Sequence, residues 1–146
     1  MKDLLIMNET KKTAAEIMNK PVVTVRINAT VDEAIHRLQE KHVNCLVVED
    51  AGLAAGLISR EDILYKVVTK KVNPHKRKVH NLMTDLDMHF SPNSDVRIIR
   101  SFMLRADEDR TVVTAEGRIV GLISMGDIFR HISAEMALRR GIEKTI

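Results

Sequence analysis

Aromatic side chains are scarce in this 146-residue chain, which holds three Phe, one Tyr and no Trp, 3% of its positions. Binding single-stranded nucleic acid by stacking bases on aromatic platforms needs more of them, so that function class is disfavoured. Cys45 is the one cysteine, which excludes an intramolecular disulfide and any multi-cysteine zinc site. Without a disulfide framework, a reducing compartment is the natural setting. No apolar run approaches the ~18 residues that a membrane-spanning helix requires. The opening residues from Met1 to Lys12 carry only a short apolar stretch, broken by Asn8 and Glu9. A signal peptide needs a longer apolar region and a small-residue cleavage site. These absences together predict a soluble, cytoplasmic protein.

Catalytic and metal signatures are also missing. The sequence has no P-loop and no Gly-rich dinucleotide fingerprint. A nucleophile beside an identifiable base cannot be picked out, and Cys45, set before Leu46-Val47-Val48, reads as a small buried hydrophobe. His75, His80 and His89 lack the i, i+4 spacing of a helical metal pair. The expectation is therefore neither an enzyme nor a metalloprotein.

What is present is ordinary globular composition, 45% hydrophobic and 29% charged, enough for one domain or two small units sharing a core. The net charge of +3 is unevenly spread. The stretch Lys66–His80 holds six Lys or Arg and no acid, so the remainder of the chain carries −3. Such a run either attracts phosphates, whether of nucleic acid or of a nucleotide, or is a solvated connector around the Asn73-Pro74 turn. The connector is the weightier reading, because a basic run alone is weak evidence of a site, and the lack of interleaved aromatics argues against nucleic acid.

An internal repeat organises the chain. Shifting it by 65 residues aligns Met18 with Met83, Asn28 with Asn93, Val31 with Val96, and Val47-Val48 with Val112-Val113. The same shift places Gly52 on Gly117, Gly56-Leu57-Ile58-Ser59 on Gly121-Leu122-Ile123-Ser124, and Asp62-Ile63 on Asp127-Ile128. That makes twelve identities over 56 ungapped pairs, where ordinary composition gives about three or four. The chain is a tandem duplication.

Both copies read as β-α-β-β-α. In the first, Val22–Val25 is a short β-branched strand. Thr30 and Glu33 form a capping box, and Val31, Ala34, Ile35 and Leu38 recur at helical spacing to about Lys41. Cys45–Val48 and Ala54–Ile58 are strands joined at Ala51-Gly52, and a helix runs from Arg60 to about Lys70. In the second, the same order predicts strand Met88–Phe90, helix Asp95–Arg105, strands Thr111–Thr114 and Ile119–Ile123 around Glu116-Gly117, and helix Met125–Ser133. Units of about 55 residues are too small to bury their own sheets, so the two should pack sheet to sheet with quasi-two-fold clefts between them. The boundaries expected are 13–69 and 78–133 for the units, 70–77 for the connector and 134–146 for a helical tail reaching about Gly141. That tail, with Met136, Leu138 and Ile142, either packs on a partner subunit or is self-packed or frayed. Met103 and Met136 are expected as adaptable core fillers.

The repeated Gly-apolar-apolar-Ser-x-x-Asp block admits two readings. A serine between a strand and a helix sits beside unpaired N–H groups and the positive dipole end, where a phosphate can be held. A carboxylate one turn later is suited to accepting hydrogen bonds from vicinal hydroxyls such as those of ribose, and the glycine allows close backbone approach. Alternatively, Ser-x-x-Asp is simply a helix cap, which needs no ligand.

Element order, unit length and the two blocks in register resemble the cystathionine-β-synthase (CBS) domain pair, the Bateman module of stand-alone bacterial or archaeal type. The likeness covers about Thr13 to Ser133, and the Ile17-Met18 and Leu82-Met83-Thr84 openings support it. It implies an α/β (α+β) fold and clefts that join the Ser/Asp block of one unit to the opening strand of the other. Carried over, Ser59, Arg60 and Asp62 would face Thr84 and Asp87-Met88-His89, while Ser124 and Asp127 would face Asn19 and Pro21-Val22-Val23. Val22 and Val23 would pack a purine. The chain departs from the family at Asn19, where Thr is common, at polar Asp87 and His89, and at Asp107-Glu108-Asp109, where three acids would repel phosphates.

The resemblance implies a regulatory module that requires no cofactor, binds AMP, ADP, ATP or S-adenosylmethionine, and signals to a partner protein or across a homodimer. The alternative is a structural or protein-interaction module whose clefts bind no nucleotide.

Overall fold

Repeated local signals place the helices and turns at equivalent positions in the two units, as seen in a computed structural model that describes residues 11–86 and 88–145. Thr13 opens the short helix α1 (Ala14–Ile17) with a capping box shared with Glu16. Strand β1 (Thr24–Arg26) follows. Thr30 caps α2 (Val31–Lys41), its hydroxyl accepting from the Glu33 N–H at 3.2 Å while the Glu33 carboxylate accepts from the Thr30 N–H at 3.0 Å. The hairpin β2 (Cys45–Asp50) and β3 (Leu53–Ser59) then leads into α3 (Arg60–Lys70). A 3-10 turn (Val79–Asn81) and β4 (Thr84–Asp85) begin the second unit. It continues through α4 (Val96–Ala106), β5 (Arg110–Ala115), β6 (Arg118–Ser124) and α5 (Met125–Thr145).

The duplication extends to backbone detail. Both hairpins turn on two residues of positive φ, Ala51-Gly52 and Glu116-Gly117, the primed turn that matches strand twist. Helices α2 and α4 end on His42 and Asp107, both left-handed, and each hairpin carries a register shift at the same place, Val48/Glu49 and Val113/Thr114. The cap of α4 changes chemistry and keeps its role, since Asp95 at the position of Thr30 accepts from the Arg97 N–H at 2.9 Å.

One six-stranded sheet runs β1-β2-β3-β6-β5, with β4 added on β3. The units are interleaved. Each opening segment lies across the other unit, through Thr13 with Asp95 and Thr30 with Lys78. The same holds for Asn19 with Leu122 and Thr84 with Leu57. Burial follows this exchange. Val79 and Leu82 complete the core around Val31, Leu46 and Ile58, and Ala14 completes the core around Phe90, Ile99, Met103 and Ile123. A third cluster of Cys45, Val47, Leu57 and Val112, flanked by Val22 and Leu122, joins the two halves of the sheet.

Four expectations need adjustment. The first strand begins at Thr24, and Met88–Phe90 is reduced to a single bridge between Phe90 and Val113. Met103 is fully buried, but Met136 is 57% exposed, because the last helix projects past the core residues Ile128 and Ile132. That helix continues through Gly141 to Thr145, an interior glycine costing only ~1 kcal/mol. The side chains of Arg139, Ile142 and Lys144 lie outside the described residues.

The basic run divides between α3 and a docked turn. Asn73 turns the chain, its carbonyl accepting from the Lys76 and Arg77 N–H groups. The carbonyls of Pro74 and Arg77 then accept from the Asp32 and Val31 N–H groups at 2.9 Å each, which supplies partners for free amides of the first turn of α2. Among the described residues, no helix is long and apolar enough to cross a membrane.

Candidate functional site: two clefts between the units

The glycine of each repeated block answers to packing. A Cβ on Gly56 would lie 2.6 Å from Met83 Sδ and 2.8 Å from the Thr84 carbonyl, and one on Gly121 would lie 2.7 Å from Met18 Cγ. The bare strand therefore admits the opening segment of the other unit. This delivers Asn19 and Thr84 to the ends of β6 and β3, beside Ser124 and Ser59.

In the first cleft these parts form a bonded network across the two units. The Ser124 hydroxyl accepts from the Asp127 N–H at 3.1 Å, which caps α5. The Asp127 carboxylate Oδ2 accepts from the Ser124 N–H at 2.9 Å, from its hydroxyl at 2.7 Å and from Asn19 Nδ2 at 2.7 Å. Arg130 donates to Oδ1. Burial alone would raise the Asp127 pKa. The bonds from Ser124 outweigh it, with help from Asn19 and Arg130, and hold the carboxyl below its usual value. It is therefore ionised near neutral pH. Oδ2 is saturated, whereas Oδ1 has one donor and can accept another from a ligand hydroxyl.

This network borders a cavity of about 850 Å³, within the ~300–1,000 Å³ common for small-molecule sites. Pro21, Val22 and Val23 supply an apolar wall, Gln39, His42, Val43 and Asn44 at the end of α2 border another part, and Arg60, Arg110 and Arg130 are its cations.

The second cleft repeats the backbone without the network. Ser59 Oγ accepts from the Asp62 N–H at 3.1 Å, and among the described residues no hydrogen bond reaches the Asp62 carboxylate. Its cavity of about 460 Å³ is bordered by Leu57, Ser59, Asp62 and Thr84, with Glu61 and Asp107–Arg110 around them.

Asn19, Val22, Val23, Ser124 and Asp127 thus lie together on the first cavity, and Ser59, Asp62 and Thr84 on the second. Arg60 departs from its expected place. It borders the first cavity, opposite to the cleft of its neighbour Ser59, because successive residues at a strand–helix junction point to different sides of the sheet edge. Met88 is exposed and borders neither cavity, His89 is exposed likewise, and Asp87 lies outside the described residues. Two arginines went unread in the sequence. Arg130 follows Asp127 at the i+3 spacing of one helical turn, a legible signal. Arg110, at the start of β5, had none, and it borders both cavities.

Cys45 is buried between the clefts, and burial pushes its thiol up to about 11, so it is no thiolate nucleophile at neutral pH. Among the described residues, no group of three His, Cys, Asp or Glu can hold a metal ion.

Sequence and fold comparisons agree with this geometry. The family model of the CBS domain matches twice, over residues 14–69 and 79–134. An A-adding tRNA nucleotidyltransferase from Geobacter sulfurreducens is 29% identical over 126 residues, 83% of this chain, and the chain spans 13% of that relative's length. The hexameric CBS-CP12 protein from bloom-forming cyanobacteria superposes with a TM-score of 0.74 at 29% identity, over 82% of this chain and 67% of its own. The CBS domain pair of protein MJ0100, solved with 5′-methylthioadenosine and S-adenosyl-L-methionine, gives a TM-score of 0.76 at 22% identity, over 86% and 99%. With both copies of the repeat matched in full, and each completing the core of the other, the chain belongs to the CBS domain family as a tandem pair.

Proposed function

We propose that this CBS pair is a regulatory module that binds an adenine nucleotide (AMP, ADP or ATP) or S-adenosylmethionine between its units. It then signals to a partner protein or across a homodimer, with no chemistry of its own. The observation that carries the reading is the Ser124–Asp127–Asn19 network on the first cavity. It offers a helix N-terminus and serine to a phosphate, an ionised carboxylate to ribose hydroxyls, and Val22 and Val23 to a purine face. Ser59, Arg60, Asp62, Thr84 and Met88 complete the set proposed from the sequence, with Arg60 assigned here to the first cleft. The adenosine ligands of the MJ0100 pair are consistent with this chemistry.

A ligand seated there touches both units at once, so its affinity depends on how they lie together, which is the differential contact that a signal requires. Equivalent exposed apolar residues on the last helix of each unit, Leu64 on α3 and Phe129 on α5, offer a surface for a second copy, tested by light scattering.

Thermal-shift and calorimetric titrations with AMP, ADP, ATP and S-adenosylmethionine test the ligand reading. Ligand at a hundred times its Kd should stabilise the fold by about 2.7 kcal/mol. No shift under saturating ligand would leave the other reading, an interaction module, which the acid-lined second cleft favours.

A further inference from the structure

The duplication relates the two cavities, yet their charges oppose each other. Arg60, Arg110 and Arg130 border the first, where Asp127 is the one carboxylate in the lining. Five carboxylates border the second, with Arg110 as the one cation. The contrast comes from positions where the repeat diverges: Arg60 corresponds to Met125, Arg130 to Tyr65, and Asp107-Glu108-Asp109 to His42-Val43-Asn44.

Charge engagement sharpens the contrast. Arg130 already pairs with Asp127, whereas no ion pair holds Arg60 or Arg110 among the described residues. Two forked guanidinium groups from different units, at the starts of α3 and β5, thus border one cavity with no ion pair of their own among the described residues. Planar guanidinium groups bind phosphate oxygens in pairs, and several of them suit a chain of phosphates better than a single one. A cationic sulfonium ligand would meet like charge there.

We propose that the first cleft takes a nucleoside di- or triphosphate, with Arg60 and Arg110 as the side chains that hold its polyphosphate, and that the second cleft takes no phosphate. The nucleoside half of this assignment rests on the adenine-nucleotide reading above; the polyphosphate half rests on the arginines alone. Carboxylates at the mouth of the second cleft repel phosphate before it can reach the capped helix end behind them. Arg110 sits on the wall shared by both cavities, so it contributes to the first cleft while its neighbours Asp107 and Asp109 guard the second.

Calorimetry on the whole chain with ATP, AMP, adenosine and inorganic tripolyphosphate, at low and high salt, tests the assignment. The expected result is one ATP per chain, bound at least about tenfold more tightly than AMP. The preference should shrink at high salt as screening grows. Arg60→Gln and Arg110→Gln should each weaken ATP binding on the order of tenfold and leave adenosine unaffected. Unliganded melting temperatures establish that both variants fold. Equal affinity for ATP and AMP, two ATP per chain, or arginine variants that bind ATP normally would each overturn the proposal. Adenosine binding without any gain from phosphates would sink the polyphosphate assignment and leave the adenosine reading standing. Tripolyphosphate binding that Arg60→Gln abolishes, with nothing added by adenosine, would support the arginine site and sink the nucleotide reading. Binding of neither would sink both.

Discussion

At the first cleft, Ser124 and Asp127 are tied to Asn19 of the other unit and to Arg130 one turn along. At the second, Ser59 and Asp62 share only the capping bond, and Thr84 stands where Asn19 stands in the first. The backbones match, so the difference lies in a few side chains at positions the two copies do not share. The block itself, Gly-apolar-apolar-Ser-x-x-Asp, is demanded by the fold. Its glycine admits the neighbouring unit's methionine, and its serine satisfies a helix amide. Both copies therefore keep it whether or not a ligand binds. What distinguishes one cleft chemically is what diverged around it, namely Asn19, Arg60 and Arg130 on one side and Asp107 to Asp109 on the other.

The shared part of this comparison breaks most severely at the glycines. Gly121→Ala and Gly56→Ala should each destabilise the fold by about 1–3 kcal/mol, because the new methyl overlaps Met18 in one case and Met83 with the Thr84 carbonyl in the other. Urea unfolding measures this, and a neutral result at either position would sink the interleaving argument.

The unshared part should separate the two aspartates without any ligand. Asp127→Ala removes an acceptor for Ser124, Asn19 and Arg130 and should cost about 1–2 kcal/mol. Asp62→Ala, whose carboxylate has no such bonds, should stay within about 0.5 kcal/mol. Equal costs would show that the clefts do not differ in this way. The pH dependence follows from the same bonds. The Asp127 pKa is lowered in the folded state, so its contribution is present above the unfolded carboxylate value near ~4 and is lost as pH falls through the lower folded value. Asp127→Asn should flatten the acid limb of a stability profile below about pH 4.

The smallest effect expected is on the acid guard. Neutralising Asp107→Asn together with Asp109→Asn should raise tripolyphosphate affinity at the second cleft by a few-fold at low salt, and the gain should fade as salt screens it. Adding Arg60→Gln, which weakens the first cleft, to this pair gives a triple variant whose titration reads the second cleft. An unchanged second cleft would mean that something other than charge keeps phosphate out.

Much of the architecture could be read along the chain, because its causes are local. Thr30 and Glu33 announce a helix start, Ala51-Gly52 and Glu116-Gly117 announce tight turns, and the 65-residue register announces two equivalent units. Strand edges were less legible. Met88–Phe90 resembles its counterpart at Val23–Val25 in position but lacks β-branched residues, and one bridge survives. Met136 has the periodicity of a core residue and no core to enter. In the clefts, the partners Asn19 with Asp127 and Thr84 with Ser59 came from the family resemblance, since nothing local relates residues 108 apart.

By itself the sequence determined that two β-α-β-β-α units exist, where each helix is capped and where each hairpin turns, because capping, turn geometry and hydrophobic period act over a few residues. Only the tertiary structure decided that the units exchange their opening segments, that Arg60 borders the cavity opposite to that of its neighbour Ser59, and that Arg110 borders both. Those outcomes depend on which strand edge a distant segment reaches and on which side of the sheet a junction residue points, and both are settled by packing the two units into one six-stranded sheet.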